Sequence, residues 1–208
     1  MTNLISKHGG YKNLKSFQMA EIVYDLTFEF VKRYVAPFKQ KEQMEGAARG
    51  GKQNIGEGSE TSATSKESEL RLVTVARASQ GELKLDYEDY LRTQHLPIWD
   101  KNDARVLAIR QLAYLSNKSY KTYLSYLANP ETAANCLLCL INQTCYLLDK
   151  QLNALSKDLV EYGDFKDRHK QIRKQKIIGQ EENYEEFLKQ NKLKRLENGR
   201  VVGLNDPG

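Results

Sequence analysis

The chain has 208 residues, a formal net charge of +5 and a hydrophobic fraction of 40%. A charged fraction of 28%, with 4 prolines and 13 glycines, is typical of a folded helical protein and excludes an intrinsically disordered one. The length suits one sizeable core with a smaller appendage. Because neither a secretory signal nor an apolar stretch of ~20 residues occurs, the sequence predicts a cytoplasmic protein with no membrane partner.

Apolar residues recur at spacings of three and four from Leu14 to Val35 and predict a first helix with a wide buried face. Its members are Leu14, Phe17, Ala20, Tyr24, Phe28 and Val31, broadened by Ile22, Leu26 and Phe30. Pro37 disfavours helical backbone in the residue before it, so we expect this helix to end near Ala36.

A second predicted helix runs from Lys39 to about Glu60 and is rich in glycine. The glycines are Gly46, Gly50, Gly51, Gly56 and Gly58. Each glycine inside a helix costs ~1 kcal/mol relative to alanine, so close packing of a neighbouring backbone must support this helix. A phosphate-cradling loop is the alternative, which the absence of a Walker motif and of a preceding strand disfavours.

Two longer helices are predicted further along. Ser65 followed by acidic residues is typical of a helix start, and the third helix should end near Gln94. Its core seam is Val73, Ala76, Gln80, Leu83, Tyr87 and Tyr90. Asn129 and Pro130 predict the start of the last long helix, which should reach about Lys157. Its seam is Leu138, Ile141, Cys145, Leu148, Leu152 and Leu155.

Residues 98–128 predict one or two shorter helices inserted between these long ones, so the first domain spans residues 1–162. Residues 163–208 form a suffix with a basic beginning. Its cations are Lys166, Arg168, Lys170, Arg173, Lys174 and Lys176. They can neutralise phosphates, with Tyr162, Phe165 and His169 to stack on unpaired bases, or they can belong to a solvated linker. An amphipathic segment over residues 181–196 and a frayed polar end should follow.

No group of residues has the pattern of a catalytic or metal centre. Asn54, Glu57 and Glu82 could act as acid, base or ligands, but a structural role is favoured, with the carboxylates accepting hydrogen bonds from Asn54, Arg49 or helix ends. His8, His95 and His169 are too scattered to share a metal ion. We therefore predict no enzyme, no metal and no cofactor.

The three cysteines, Cys136, Cys139 and Cys145, lie in one apolar helical segment. Cys136-x-x-Cys139 could be a redox pair, but the strand and helix that usually surround such a pair are missing. Small core residues are the favoured interpretation.

Three motifs carry a resemblance to a known family. They are Tyr11-Lys12-x-Leu14, then Ala47-Ala48 with Asn54-Ile55-x-Glu57-Gly58, then Ala76-x-x-Ser79-x-x-Glu82-Leu83. In this order the chain resembles the bacterial four-helix bundle proteins encoded in intervening sequences of ribosomal RNA genes, and it is similar to the accessory variability determinant of diversity-generating retroelements. It departs from them at Glu45-Gly46, where an arginine pair is usual, and at Gly50-Gly51-Lys52, where Ser-Ile-Pro is frequent.

The resemblance implies an all-α, up-down four-helix bundle that assembles into a homo-oligomeric ring, commonly a pentamer. In the retroelement branch it also implies binding to nucleic acid and to a reverse transcriptase. We therefore expect a non-enzymatic accessory protein that associates with DNA or RNA through its basic suffix. The alternative is a ring-shaped scaffold that holds a protein partner with Trp99 and the tyrosines from Tyr114 to Tyr126.

Overall fold

The computed structural model describes residues 10–197 and 199–204, without the side chains of Phe165 and Arg168. The described chain is mostly helical and ends in a two-stranded antiparallel sheet, which confirms the predicted all-α class for all but this sheet. It divides into two compact units, Met1–Tyr162 and Gly163–Gly208, at the position where the composition becomes basic.

The first unit contains five α-helices and two 3-10 helices among its described residues. A 3-10 turn, Tyr11–Asn13, precedes α1 (Lys15–Tyr34), α2 (Phe38–Thr61), α3 (Lys66–Thr93), α4 (Ala104–Leu112), a longer 3-10 helix (Tyr120–Ala128) and α5 (Pro130–Tyr162). Helices α1 and α3 both pack against α2 and α5, whereas α4 packs on α5 and the longer 3-10 helix lies on α1 and α5.

Side-chain caps start the two helices for which the sequence predicted them. The Ser65 hydroxyl accepts a hydrogen bond from the Ser68 amide at 3.1 Å, and Asn129 Oδ1 accepts one from the Thr132 amide at 2.9 Å. Such caps satisfy amides that have no partner within the helix. Helix α5 continues past its predicted end at Lys157 to Tyr162.

The predicted core seams are largely confirmed. All six predicted seam residues of α3 are buried, and those of α5 are buried except Leu152, which is half-buried. Phe28 of α1 was predicted to face the core but is 50% exposed. The three-four spacing predicted too many buried positions in α1. The predicted stripe covered most of the helix circumference, whereas α1 has long-helix neighbours on only two sides.

Close contact between α2 and α3 is made at three of the predicted glycines. A Cβ atom on Gly51 would overlap the Gln80 side-chain amide, one on Gly50 would lie 3.0 Å from the Ser79 hydroxyl, and one on Gly58 would lie 3.4 Å from the Glu69 carbonyl oxygen. Because positions 50 and 51 of α2 meet residues 79 and 80 of α3, whereas position 58 meets Glu69, the two helices run antiparallel. Gly46 is different, since nothing lies within 4 Å of its Cβ position.

Gln80 is fully buried beside Gly51, and neither its amide nitrogen nor its carbonyl oxygen has a hydrogen-bond partner among the described residues. A buried polar group without a partner costs ~1–3 kcal/mol. By contrast, the buried Tyr87 hydroxyl lies 3.1 Å from the Thr27 hydroxyl and donates to it. Gln80 therefore fills a space that Gly51 provides but gains no compensating hydrogen bond from the described structure.

The second unit corrects two predictions about the suffix. Helix α6 is continuous over Phe165–Gln190 and includes both the basic run and most of the predicted amphipathic segment. The predicted amphipathic segment ends in β1 (Leu193–Arg195), which forms a hairpin with β2 (Val201–Gly203) of the end predicted to be frayed, with Lys194 opposite Val202. The last part of that end, residues 205–208, lies outside the described residues. Strands of three residues are too short for an alternating pattern to be recognised in sequence.

We predict that Gly51→Ala lowers the free energy of unfolding by about 1 to 3 kcal/mol, because the added methyl group must displace the buried Gln80 side chain. Chemical denaturation followed by circular dichroism measures the change. The matched control is Gly81→Ala in α3, where the nearest atom to the added methyl lies 3.8 Å away. That change should raise stability by about 0.5 to 1 kcal/mol. Equal stability of both variants would contradict the packing role of Gly51.

Candidate nucleic-acid interface

The basic half of α6, residues 166–176, displays its cations to solvent. Lys166, Lys170, Arg173, Lys174 and Lys176 are exposed, and the side chain of Arg168 lies outside the described residues. At 100° per residue, Lys166, Lys170, Arg173 and Lys174 fall within an arc of about 100° of the helix surface. The structure therefore brings four of the six predicted phosphate-binding residues onto one face.

Acidic residues do not neutralise this face within the described structure. Asp167 is the one acid in the basic half, and its carboxylate accepts a hydrogen bond from the Asp164 amide at 3.3 Å, at the start of the helix. Lys170, Arg173 and Lys174 form no ion pair with a described residue. Of the aromatic residues predicted to stack on bases, Tyr162 is exposed, and nothing is described for the Phe165 side chain. His169 is also exposed.

Of the three motifs that carry the resemblance, the second lies on α2 and the third on α3. The Asn54 side-chain amide donates to the Gly50 carbonyl at 2.9 Å, and Ser79 lies against Gly50. Glu57 and Glu82 are exposed, and the hydrogen bonds predicted for their carboxylates do not occur among the described residues. The register of the two helices separates them by about 13 Å along the helix axis, at 1.5 Å per residue. They do not form a paired carboxylate site.

The cysteines are core residues. Cys136, Cys139 and Cys145 are free and buried, and desolvation raises the pKa of each thiol above its ordinary value. Arg110 partly opposes this rise at Cys139. In the part of the chain that the structure describes, no three His, Cys, Asp or Glu side chains come together to hold a metal ion. His8 lies outside the described residues.

The aromatic residues of the inserted segment mainly anchor it to α5. Trp99 is buried, its indole nitrogen donates to Glu131 at 2.8 Å, and its backbone amide donates to the Asn135 side chain at 2.8 Å. The Arg105 guanidinium lies 3.8 Å from the centre of the Trp99 ring. Tyr123 is fully buried, whereas Tyr114 is 90% exposed. Trp99, named as a docking residue in the scaffold alternative, is therefore engaged within the chain.

A small pocket with a volume of about 120 Å³ lies beside Trp99. Lys84, Arg110 and Asn142 contribute polar groups to its lining, and Leu138 contributes apolar surface. Pockets that hold organic ligands usually measure ~300–1,000 Å³, so this one is too small for most such ligands.

Sequence reasoning missed the acidic half of α6, residues 181–186. Its carboxylates belong to Glu181, Glu182, Glu185 and Glu186, all exposed. The signal was present in the order of charges along the segment, where a block of cations is followed by a block of acids. The two blocks were assigned to different segments, so their position on one helix was not recognised.

No protein-family model, curated protein or solved structure matches this chain. The resemblance to the ribosomal RNA intervening-sequence and retroelement accessory proteins therefore stays a hypothesis. Within residues 10–197 and 199–204, no helix combines the length and the apolar character needed to span a lipid bilayer.

We predict that the three thiols of the native protein react with N-ethylmaleimide at pH 8 at least about 100-fold more slowly than in the unfolded chain. Burial restricts access, and the raised pKa of each thiol lowers the fraction of reactive thiolate at this pH. Intact-mass measurement over time follows the modification, with the protein in denaturant as the control. Rapid native labelling of Cys136 and Cys139 would instead favour the redox-pair interpretation.

Proposed function

We propose that this protein is a non-enzymatic, oligomeric accessory protein of the cytoplasm that associates with nucleic acid through the basic half of α6. The observation that carries the proposal is the exposed face bearing Lys166, Lys170, Arg173 and Lys174, because lysine and arginine side chains on one face can neutralise the phosphates of one backbone. DNA and RNA are both candidates, because a phosphate backbone is common to them.

The proposed mechanism is electrostatic. Lysine and arginine on one helical face neutralise phosphates and release counterions, which gives affinity that depends on salt rather than on base sequence. Repetition of the face in an oligomer would add avidity, since several weak contacts then act on one nucleic-acid molecule. A reverse transcriptase or another protein is the further partner that the family resemblance suggests.

We also propose that α1, α2, α3 and α5 form an up-down four-helix bundle. Each of the four packs on two of the others, and α2 runs antiparallel to α3. Long-range contacts support the same arrangement, because the Ser16 hydroxyl donates to Gln151 at 2.7 Å and Arg77 pairs with Asp149 at 2.9 Å. These contacts connect α5 to α1 and to α3.

Assembly of the bundle into a ring, with a pentamer as the family-based expectation, is the second part of the proposal. Phe38 of α2 and Leu85 of α3 are 72% and 62% exposed and offer apolar surface that a neighbouring subunit can cover. The exposed Gly46 has no packing reason within the described chain, and the helix register places it at the level of Leu85. A neighbouring subunit approaching this surface would account for both features.

Charge reversal at the basic face tests the nucleic-acid proposal. We expect Lys170→Glu, Arg173→Glu and Lys174→Glu, made together, to weaken binding to single-stranded and duplex oligonucleotides at least about tenfold, regardless of their sequence. The slope of the logarithm of affinity against the logarithm of salt concentration should fall by about 2 to 3, one phosphate contact for each lost cation. Fluorescence anisotropy over a salt series measures both quantities.

The matched control reverses three exposed cations of the first unit, Lys32, Lys39 and Arg71, which changes the net charge equally. This control should retain most of the affinity and the salt slope. Equal losses in both variants would show that only net charge matters, and unchanged affinity of the α6 variant would exclude the assignment of this face. A protein partner that remains bound after nuclease treatment would favour the scaffold alternative.

The ring surface has its own test. We expect Leu85→Glu, and separately Gly46→Gln, to reduce the number of subunits seen by native mass spectrometry without lowering the helical content, because both positions are exposed. Leu107→Glu, at an exposed position of α4, is the control and should leave the assembly unchanged. An unaltered subunit number in the first two variants would exclude this surface as the ring interface.

A further inference from the structure

Helix α6 gains little stability from packing within its own unit. Residues 166–187 are exposed, apart from the half-buried Gly179 and from Arg168, whose side chain is not described. Leu188, near the end of the helix, is buried. Within its unit α6 packs on β1. Isolated helices are marginal in water, and most helices in proteins are stabilised by packing of an apolar face.

The charges of α6 add repulsion to this lack of packing. Residues four positions apart are neighbours on a helix surface, and like charges at that spacing destabilise the helix. The affected pairs are Lys166 with Lys170, Lys170 with Lys174, Glu181 with Glu185, and Glu182 with Glu186. The basic and acidic halves are therefore each self-repulsive, and neither is close enough along the helix to neutralise the other.

One face of α6 presents both halves together. At 100° per residue, Lys170, Lys174, Glu181 and Glu185 fall within an arc of about 60°. Ile177 and Ile178, each nearly half exposed, flank the middle of this face. The order along the face is two cations, two isoleucines and two carboxylates.

From this order we infer that α6 pairs with α6 of a second copy of the chain in an antiparallel arrangement. The two pairings, Lys170 with Glu185 and Lys174 with Glu181, have the same midpoint, between Ile177 and Ile178. An antiparallel partner centred on that point brings each of these lysines opposite a glutamate. A parallel partner would bring lysine opposite lysine, so the charge order selects the direction.

The pairing is isologous, meaning that the same surface of both copies is used around a two-fold axis. At the axis Ile177 and Ile178 meet their counterparts and remove apolar surface from water. The Lys–Glu contacts occur twice by symmetry, on either side of the isoleucines. The contact spans about 22 Å of helix between Lys170 and Glu185.

This interface differs from the proposed ring surface and goes beyond the proposed function. It also opposes that function at two residues, because Lys170 and Lys174 serve both surfaces. Phosphates of a nucleic acid and glutamates of the second copy would compete for the same cations.

A disulfide at the two-fold axis reports the pairing directly in the full-length chain, freed of nucleic acid. Under mild oxidation at low salt, Ile178→Cys should give a covalent dimer on a denaturing gel. Gln175→Cys is the control, since residue 175 lies about 110° from the centre of the pairing face and should cross-link much more slowly. The three native cysteines are buried and are present equally in both variants.

Charge exchange then tests the direction and the partners. Adding Lys170→Glu and Lys174→Glu to Ile178→Cys makes the face acidic throughout, and adding Glu181→Lys and Glu185→Lys makes it basic throughout. Each variant alone should cross-link about tenfold more slowly or worse, because like charges then meet. An equal mixture of the two should regain the original rate, as should a single chain carrying all four exchanges.

Circular dichroism of each variant separates loss of pairing from loss of the helix, and the four-exchange chain keeps the wild-type charge composition. Equal cross-linking of all variants, or failure of the mixture to regain the rate, would overturn the pairing. Because nucleic acid is absent throughout, the result is independent of whether the proposed nucleic-acid binding holds.

Discussion

The contact between α2 and α3 is the constraint on which the first unit depends. Gly51 leaves the space that Gln80 fills, and Gly50 and Gly58 allow the two helices to approach closely along the rest of their contact. This contact fixes which faces of α3 point towards α1 and α5. As a result, Tyr87 reaches Thr27 of α1 and Arg77 reaches Asp149 of α5. The glycines that weaken α2 as an isolated helix therefore determine how the other long helices pack around it.

The two units are stabilised by different physical effects. The described residues of the first bury apolar side chains in two clusters, and in the larger one Phe30 contacts the rings of Tyr87 and Tyr90 at centroid distances of 5.0 Å. Helix α6 buries almost none of its length, so its stability and its contacts depend mainly on charge. Salt should therefore change the stability of α6 far more than that of the first unit. A helix with separated blocks of charge is suited to partners that are charged themselves, whether phosphates or the opposite block of another copy.

Particular residues show how far sequence patterns predicted this structure. The seam of α3 was predicted residue by residue, since three-four spacing reports directly on the buried face of a helix. The same rule was wrong for Phe28, because periodicity does not reveal how many neighbours a helix has. At the candidate interface, composition identified the cations of α6, but it did not reveal that Trp99 is engaged within the chain by hydrogen bonds to Glu131 and Asn135.

The sequence by itself determined the helical class, the caps at Ser65 and Asn129 and the position at which the basic suffix begins. These are local properties, which follow from the residues within one or two helical turns. Only the tertiary structure decided that Gly51 faces Gln80 while Gly46 faces open space, and that one continuous helix carries both charge blocks. Those facts depend on which helix faces meet and where a helix continues, and residues distant in sequence decide both.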